Sequence, residues 1–288
     1  MSATADAPAH FRRGATRPGP IGLLREAVVE VTQRRRLIRY LVQADIRKKG
    51  ADTLLGNLWW VLDPLLQMAV YVVLVSVVFN RGVEDYPLFI FAAILPWKWF
   101  QSTVQDAITS VTGADRLIRQ IQFPKLVLPL ASAGAGVVNF LFGLIPLAAL
   151  MLILYRDRLS VALVLIPLIA VVQFFFNVAI AVGLAALNVF YRDVGNLSRH
   201  FLRLWFYLSP GLYAIEDLRN ATAGVPVIGQ LLLANPFAIL FTAYRDVIYY
   251  ERAPDWAGLG ALLLGSLVLL SLTTLLFKRV EPSFAKVL

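Results

Sequence analysis

Apolar residues in this chain come in long runs, and the runs are separated by short polar segments. A bilayer core takes roughly 20 consecutive apolar residues per helix. On that measure the pattern predicts six spans, at about 58–79, 87–110, 126–154, 160–189, 199–215 and 257–277. Ahead of them, residues 1–21 are small, basic and Pro/Gly-containing, and read as a disordered tail. In the stretch 22–57, Arg35, Arg39, Gln43 and Arg47 recur every four residues while Ile38, Leu41 and Val42 fall on another side. That spacing predicts an amphipathic helix lying in the membrane interface, or one packed against a soluble partner. Residues 58–288 then form the transmembrane domain. Between the last two spans, the segment 226–250 is apolar but is interrupted by Asn235-Pro236 and carries Arg245 and Asp246, with Glu251 at its end. Short re-entrant helices before the last span fit it best, because irregular backbone at membrane depth must be covered by protein or water. The expected fold class is therefore all-α integral membrane.

Composition agrees. Hydrophobic residues make up 59% of the 288 and charged ones only 16%, with a mean hydropathy of +0.70. A soluble domain carries about 25% charged residues and cannot hide this much apolar surface. The net charge of +9 sits in segments between the apolar runs, where it suits an anionic membrane surface better than nucleic acid. With both chain ends inside, the outer segments hold only Arg81, Arg156, Arg158, Arg219, Arg245 and Arg252, and Lys98 lies within a span. The other Lys and Arg of the 27 fall on inner segments, which predicts cytosolic termini in a bacterial cytoplasmic membrane. The polar start of the chain is expected to lie in the cytosol and not to be a cleaved signal.

Candidate chemistry is sparse. There is no cysteine, the two histidines are His10 and His200, and no metal-ligand, Ser/His/Asp or Walker A pattern occurs. No catalytic residue and no metal is expected, and any ATP and Mg must sit on another chain. Polar and aromatic residues inside the spans remain. Trp60, Asp63, Gln67 and Tyr71 share one helical face, as do Phe201, Trp205, Ser209 and Tyr213, and Trp97 and Phe100 flank Lys98 beside Pro96. These mixtures suit a sugar channel, in which rings stack on C–H faces and polar groups bond to hydroxyls. They equally suit an interfacial aromatic belt or buried interhelical contacts, or, for Asp63, a place near enough the cytosolic surface to be wet. The inner loop 113–124, with Asp115, Arg116, Arg119, Gln122 and Phe123, has the size of a short docking helix, though an ordinary basic loop would look the same.

Ordered short motifs add a resemblance. They run Asp45-Ile46-Arg47, Leu55-Gly56, Trp59, Leu62, Pro64-Leu65, Tyr86-Pro87-Leu88, Leu95-Pro96-Trp97 and Phe123-Pro124-Lys125. They continue through Leu128-Pro129-Leu130, Leu187-Asn188-Val189, Tyr191-Arg192-Asp193, Ser209-Pro210, Asn235-Pro236-Phe237 and Phe277-Lys278-Arg279, and end at Glu281 and Phe284. In that order and spacing the chain resembles the ABC-2 type permeases of the polysaccharide export family, whose members carry O-antigen, capsule, teichoic acid or galactan precursors. It departs from them at Ala44-Asp45 and Lys48-Lys49, where members have Arg-Asp and Arg-Tyr.

The resemblance implies a transporter subunit and not an enzyme. It implies a homodimer with two copies of a separate cytosolic ABC ATPase, and an aromatic-lined channel for a polyprenyl-linked glycan. The channel residues would be the three sets named above. Asp115, Arg116, Arg119, Gln122 and Phe123 would couple to the ATPase, and the region 218–250, with Asn235, Pro236 and Phe237, would form an outer gate. Arg35, Arg39, Arg47, Lys48 and Lys49 are candidates to hold the pyrophosphate of the lipid head by charge-assisted bonds. An ABC-2 exporter of drugs or free lipid shares this topology, and a membrane glycosyltransferase is a third reading.

Overall fold

The computed structural model describes residues 18–51, 53–78, 83–215, 229–230, 232 and 234–288. Most of the expected tail, and residues 218–228 of the expected gate region, lie outside the described residues. Among the described residues every regular element is a helix.

The interface segment forms two helices, where the sequence pattern suggested one. Pro20 opens α1 (Pro20–Gln33) at a position where its missing N–H costs nothing. The chain leaves helical geometry at Arg34 (φ −96°, ψ 17°) and restarts as α2 (Arg35–Gly50). Arg47, Lys48 and Lys49 occupy the last turn of α2, where the helix dipole favours cations. Next come α3 (Trp59–Val72), which ends in a π-helical turn over Val73–Val78, and α4 (Tyr86–Ser110). The short α5 (Asp115–Gln120) leads to α6 (Val127–Ile153) and α7 (Ile166–Phe190). The chain then runs through α8 (Val194–Leu208), α9 (Pro236–Ile248), α10 (Trp256–Val280) and a terminal turn, α11 (Phe284–Val287).

Among the described residues, four stretches are long and apolar enough to cross a membrane: Gly56–Val78, Val127–Ile153, Val161–Phe190 and Trp256–Val287. The expected second span, α4, has 25 residues and a length of about 37 Å. It carries Lys98 and Asp106 and is the axis of the bundle, packed against α3, α6, α7, α8 and α9. The expected fifth span, 199–215, is not one helix. α8 spans 15 residues, about 22 Å, and stops at Leu208. Ser209 precedes Pro210 and is extended (ψ 150°), as a residue before proline prefers.

Two apolar cores result. The larger surrounds α4 with Phe89, Phe91, Trp97, Phe100, Phe140, Phe176, Phe237 and Phe241. The smaller joins α5, α7 and the chain end through Ile118, Phe123, Val182, Phe277 and Phe284. Small residues let backbones approach, as in other membrane helix pairs. A Cβ added to Gly136 of α6 would lie 2.2 Å from Thr103 Oγ1 and 3.3 Å from Trp99 Nε1, both on α4.

α1, α2, α5 and the C-terminal residues gather at one end of the bundle, here called the basic end. Its junction is Lys278, whose ammonium lies 2.8 Å from Glu30, 3.2 Å from Glu281 and 3.3 Å from Glu26. Glu281 also accepts the backbone N–H of Lys125 at 2.6 Å, which ties the segment after α5 to α10. Burial holds the Glu30 carboxyl above its ordinary value, although Lys278 pulls the other way.

Two consequences follow for stability. Thr103 is fully buried and cannot yield to a new methyl group, so Gly136→Ala should lower stability by about 1–3 kcal/mol, with partial rescue by Thr103→Ala. Thermal unfolding in detergent measures this, and an unchanged midpoint for Gly136→Ala would contradict the packing described. Lys278→Met leaves Glu30 and Glu281 without their cation and should cost about 3–5 kcal/mol. Glu26 is nearly half exposed, so Glu26→Gln should cost less than about 1 kcal/mol. Limited proteolysis between α1 and α2 should speed up for the first variant and not for the second.

Candidate functional site

A polar groove runs down the outer side of α4 where α3 leans against it. Lys98, Gln101, Ser102 and Gln105 step along one face of α4, and Asp63 and Gln67 face them from α3. Lys98 Nζ lies 2.7 Å from Asp63 Oδ2. Two adjoining clefts share Asp63, Lys98 and Gln101. One, of about 340 Å³, adds Trp59, Trp60, Ser102, Gln105 and Asn139. The other, of about 450 Å³, adds Gln67, Tyr71, Arg203 and Tyr207. Asn139 Nδ2 donates to Ser102 Oγ at 3.4 Å, and Gln67 Nε2 donates to Tyr71 OH at 3.3 Å. Tyr71 stacks on Phe206 at 5.9 Å, and Trp60 packs edge-on against Phe142 at 5.4 Å. The expected stripe Trp60, Asp63, Gln67, Tyr71 is thus brought together on one wall.

Other expected channel residues lie elsewhere. Phe100 has no exposed surface, and Trp97, 2% exposed, lines the second cleft while most of its ring is covered. Both belong to an aromatic cluster behind the groove: Trp97–Phe237 at 4.7 Å, Phe100–Phe237 at 4.8 Å and Phe100–Trp205 at 5.5 Å. They are wall filling, because α4 is covered by other helices on that side. Phe201 is exposed and packs against Trp205 at 5.4 Å. Ser209 is fully buried, and Tyr213 lies past the end of α8, so the four-residue step from Phe201 to Tyr213 is no continuous helical face.

Trp205 and Ser209 instead meet the expected gate residues. Asn235 accepts from Trp205 Nε1 at 3.0 Å and donates to Ser209 Oγ at 2.7 Å. It also accepts the N–H of Phe237 at 3.0 Å, capping α9 with Pro236 in the first turn. The stretch that looked too broken for a helix is therefore partly one: Asn235-Pro236 is a helix start, and α9 is buried in the larger core. Arg245 of α9 lies with its guanidinium 3.6 Å from the centre of the Phe89 ring. It donates to the carbonyls of Pro210 (2.6 Å), Tyr213 (3.2 Å), Phe89 (3.3 Å) and Gly211. A buried cation needs such a set of acceptors, and here they fasten the turn after α8 to α4 and α9.

At the basic end, Arg35, Arg39, Arg47 and Lys48 are exposed on α2, whereas Lys49 is already paired with Asp106 of α4. Burial keeps the neighbouring Asp45 carboxyl above its ordinary value, with Lys49 opposing. On α5, Arg119 bonds Asp115 at 2.7 Å and also the Leu288 carbonyl. Arg116 and Gln122 are exposed, while Phe123 is buried and anchors the segment instead of presenting it. Among the described residues no group of three or more acidic or His side chains forms a metal site.

Gln101, Ser102, Gln105, Asn139 and Arg203 did not stand out in the sequence. The signal was present for α4: polar residues at 98, 101, 102 and 105 keep helical spacing inside an apolar run. The aromatic cluster around Lys98 drew attention to the other face.

The ABC-2 type transporter family model matches residues 36–249. The O-antigen export system permease protein RfbA of Myxococcus xanthus is 32% identical over 259 residues, covering 90% of this chain and 98% of its own length. Two proteins of the same description from Klebsiella pneumoniae are 25% and 24% identical over 253 residues, covering 88% of this chain and 95% of theirs. A match that takes in α2 through α9, with the polar groove and the buried arginine inside it, makes this chain a membrane-spanning transporter subunit of the ABC-2 type transporter family.

Proposed function

We propose that this chain is the permease of an ATP-driven exporter that carries a polyprenyl-pyrophosphate-linked polysaccharide from the cytosol across the cytoplasmic membrane. Two copies assemble with two cytosolic ABC ATPase subunits, and ATP and Mg are handled there. The basic end faces the cytosol. The six crossings are the four apolar stretches, α4, and α8 with the turn that follows it.

The observation that carries this reading is the groove. Asp63, Lys98, Gln101 and Gln105 lie along helices of membrane-spanning length on a side that the described residues leave partly open. Such groups are expensive against lipid and are retained where they face protein or a watery path. A second copy placed over α3, of which only 6% of the most apolar window is buried, encloses the groove. The result is a passage lined with amides, a hydroxyl, a neutralised ion pair and aromatic rings. That lining suits an uncharged polyhydroxyl chain: rings stack on sugar faces, amides exchange hydrogen bonds with hydroxyls, and no single contact is strong enough to stop sliding. The O-antigen export descriptions of the relatives agree with this substrate class. The exposed arginines of α2 attract the phosphates of the lipid carrier, and α5 with Arg116 and Gln122 offers the ATPase its contact. Coupling works through contacts that differ between the ATP-bound and ATP-free partner.

The first test is recovery of the tagged chain from its native membrane. A co-purifying subunit with a Walker A motif is expected, and Arg116→Glu should reduce ATPase activity of the complex at least tenfold. Recovery of the chain without any ATPase in several detergents would sink the exporter reading. The second is transport in proteoliposomes. Replacing both Gln101 and Gln105 by Leu removes two hydrogen-bonding groups of about 1 kcal/mol each, so glycan transport should fall roughly 10- to 30-fold with the complex still assembled. Undiminished glycan transport, or stimulation by a drug or free lipid instead, would move the chain to another substrate class.

A further inference from the structure

At the end of the bundle opposite the basic end, one arginine joins three connecting segments. Arg158 belongs to the short turn Arg156–Arg158 between α6 and α7. Its Nη2 lies 2.9 Å from Oδ2 of Asp85, just before α4, and its Nη1 lies 3.7 Å from Oε1 of Glu251, between α9 and α10. The guanidinium also lies 5.3 Å from the centre of the Tyr249 ring, and Tyr249 OH donates to the Glu84 carbonyl at 2.6 Å.

The two carboxylates share a second property. Among the described residues, Asp85 (φ 50°) and Glu251 (φ 55°) are the non-glycine residues with a left-handed backbone. A side chain makes that conformation costly, and it persists only where surrounding contacts hold it. For both residues Arg158 supplies such a contact. Asp85 also gives something up. It stands at the N-cap position of α4, where aspartate ordinarily takes an extended backbone and caps the helix, yet its carboxylate makes no cap. The pair with Arg158 and the cap are therefore alternatives for one carboxylate. The side chains of Arg158, Asp85 and Glu251 are 25%, 28% and 36% exposed, so water weakens both pairs. Arg158 Nε is moreover buried without a partner. Two weak pairs stand against two strained residues and a lost cap, and opposing contributions of similar size give two states instead of one rigid joint.

The joined segments lead into the core. Tyr86 OH, in the first turn of α4, donates to the Leu212 carbonyl at 3.0 Å, in the turn after α8. The N–H groups of Tyr249 and Tyr250 bond the Arg245 carbonyl at 2.8 and 2.9 Å, and the Arg245 side chain gathers that same turn after α8.

We propose that Arg158 is the catch of a two-state latch. Latched, it holds Asp85 and Glu251 left-handed and keeps the α9–α10 turn against the start of α4. Released, Asp85 relaxes to cap α4 and the α9–α10 turn moves away. On the export reading, on which this last step alone rests, release opens the outer end of the path.

The chain has no cysteine, so spin labels on Asp157→Cys and Ala253→Cys, both exposed, report the spacing of the two turns without background. Electron resonance on the full chain in lipid nanodiscs should show a main short distance and a minor longer one. Arg158→Gln should raise the longer population roughly fivefold, the factor matching one partly exposed ion pair. Arg158→Lys, a point charge that cannot hold both carboxylates, should raise it less. Adding Asp85→Gly and Glu251→Gly to Arg158→Gln should restore the short distance, because glycine adopts the left-handed backbone without strain and offers no cap. A plain structural ion pair predicts the opposite, since the triple variant has lost every charge that held the turns. An unchanged distribution in Arg158→Gln overturns the latch, and failure of the glycines to restore it overturns the strain that drives release. In the complex with its ATPase, ATP with vanadate should enlarge the longer population of the wild type. Latch variants that behave as expected without any response to ATP would overturn the outward opening while the latch stands, so a failed export reading and a failed latch give different outcomes.

Discussion

A polar side chain at membrane depth must face protein or water, and the two faces of α4 are organised around that constraint. One face carries Trp97, Phe100 and Val104 into an aromatic core closed by Phe176, Trp205 and Phe237. The other carries Lys98, Gln101, Ser102 and Gln105 into the groove. The apolar face fixes α4 rigidly among its neighbours. The polar face can then hold a fixed row of hydrogen-bonding groups, since the helix cannot rotate to hide them. The Asp63–Lys98 pair follows from the same logic. Either charge alone would be costly against lipid, and together they give a polar but neutral stretch of wall.

Charges elsewhere in the bundle act as joints. Lys278 collects Glu26 and Glu30 from α1 and Glu281 from the chain end, and Glu281 also holds the backbone of Lys125 just past α5. The short segment that carries Arg116 is thereby tied to a long membrane helix and to the interface helix through one carboxylate. At the other side of the core, Arg245 gathers the carbonyls of the turn after α8. Both joints are buried ion or carbonyl clusters, which break as units and not gradually, so movements passed through them shift whole elements.

How much of this could be read from the sequence depended on what each helix faces. α6, α7 and α10 are apolar nearly all round, and their ends were placed within a few residues by hydropathy alone. α8 is strongly two-sided and short, so its apolar residues were extended past Ser209-Pro210 into a span, although the proline itself marks the stop. Asn235-Pro236 was read as an interruption, but the same pair caps and opens α9. One-dimensional spacing also could not tell which side of α4 is covered, because its two sides differ only in what other helices do. Phe100 was therefore placed in the channel when it fills the core, while Trp97 both lines the second cleft and packs into that core.

The groove holds its contents by number and not by strength. On the proposed reading, a long neutral glycan needs many weak, interchangeable contacts, and the amide and aromatic lining fits that need. The proposed partner side follows the opposite rule. Arg119 bonds Asp115 within the short α5 and the Leu288 carbonyl beyond it, and Glu281 holds the backbone just past it. A push on α5 is therefore passed to the end of α10 instead of being taken up by a loose loop.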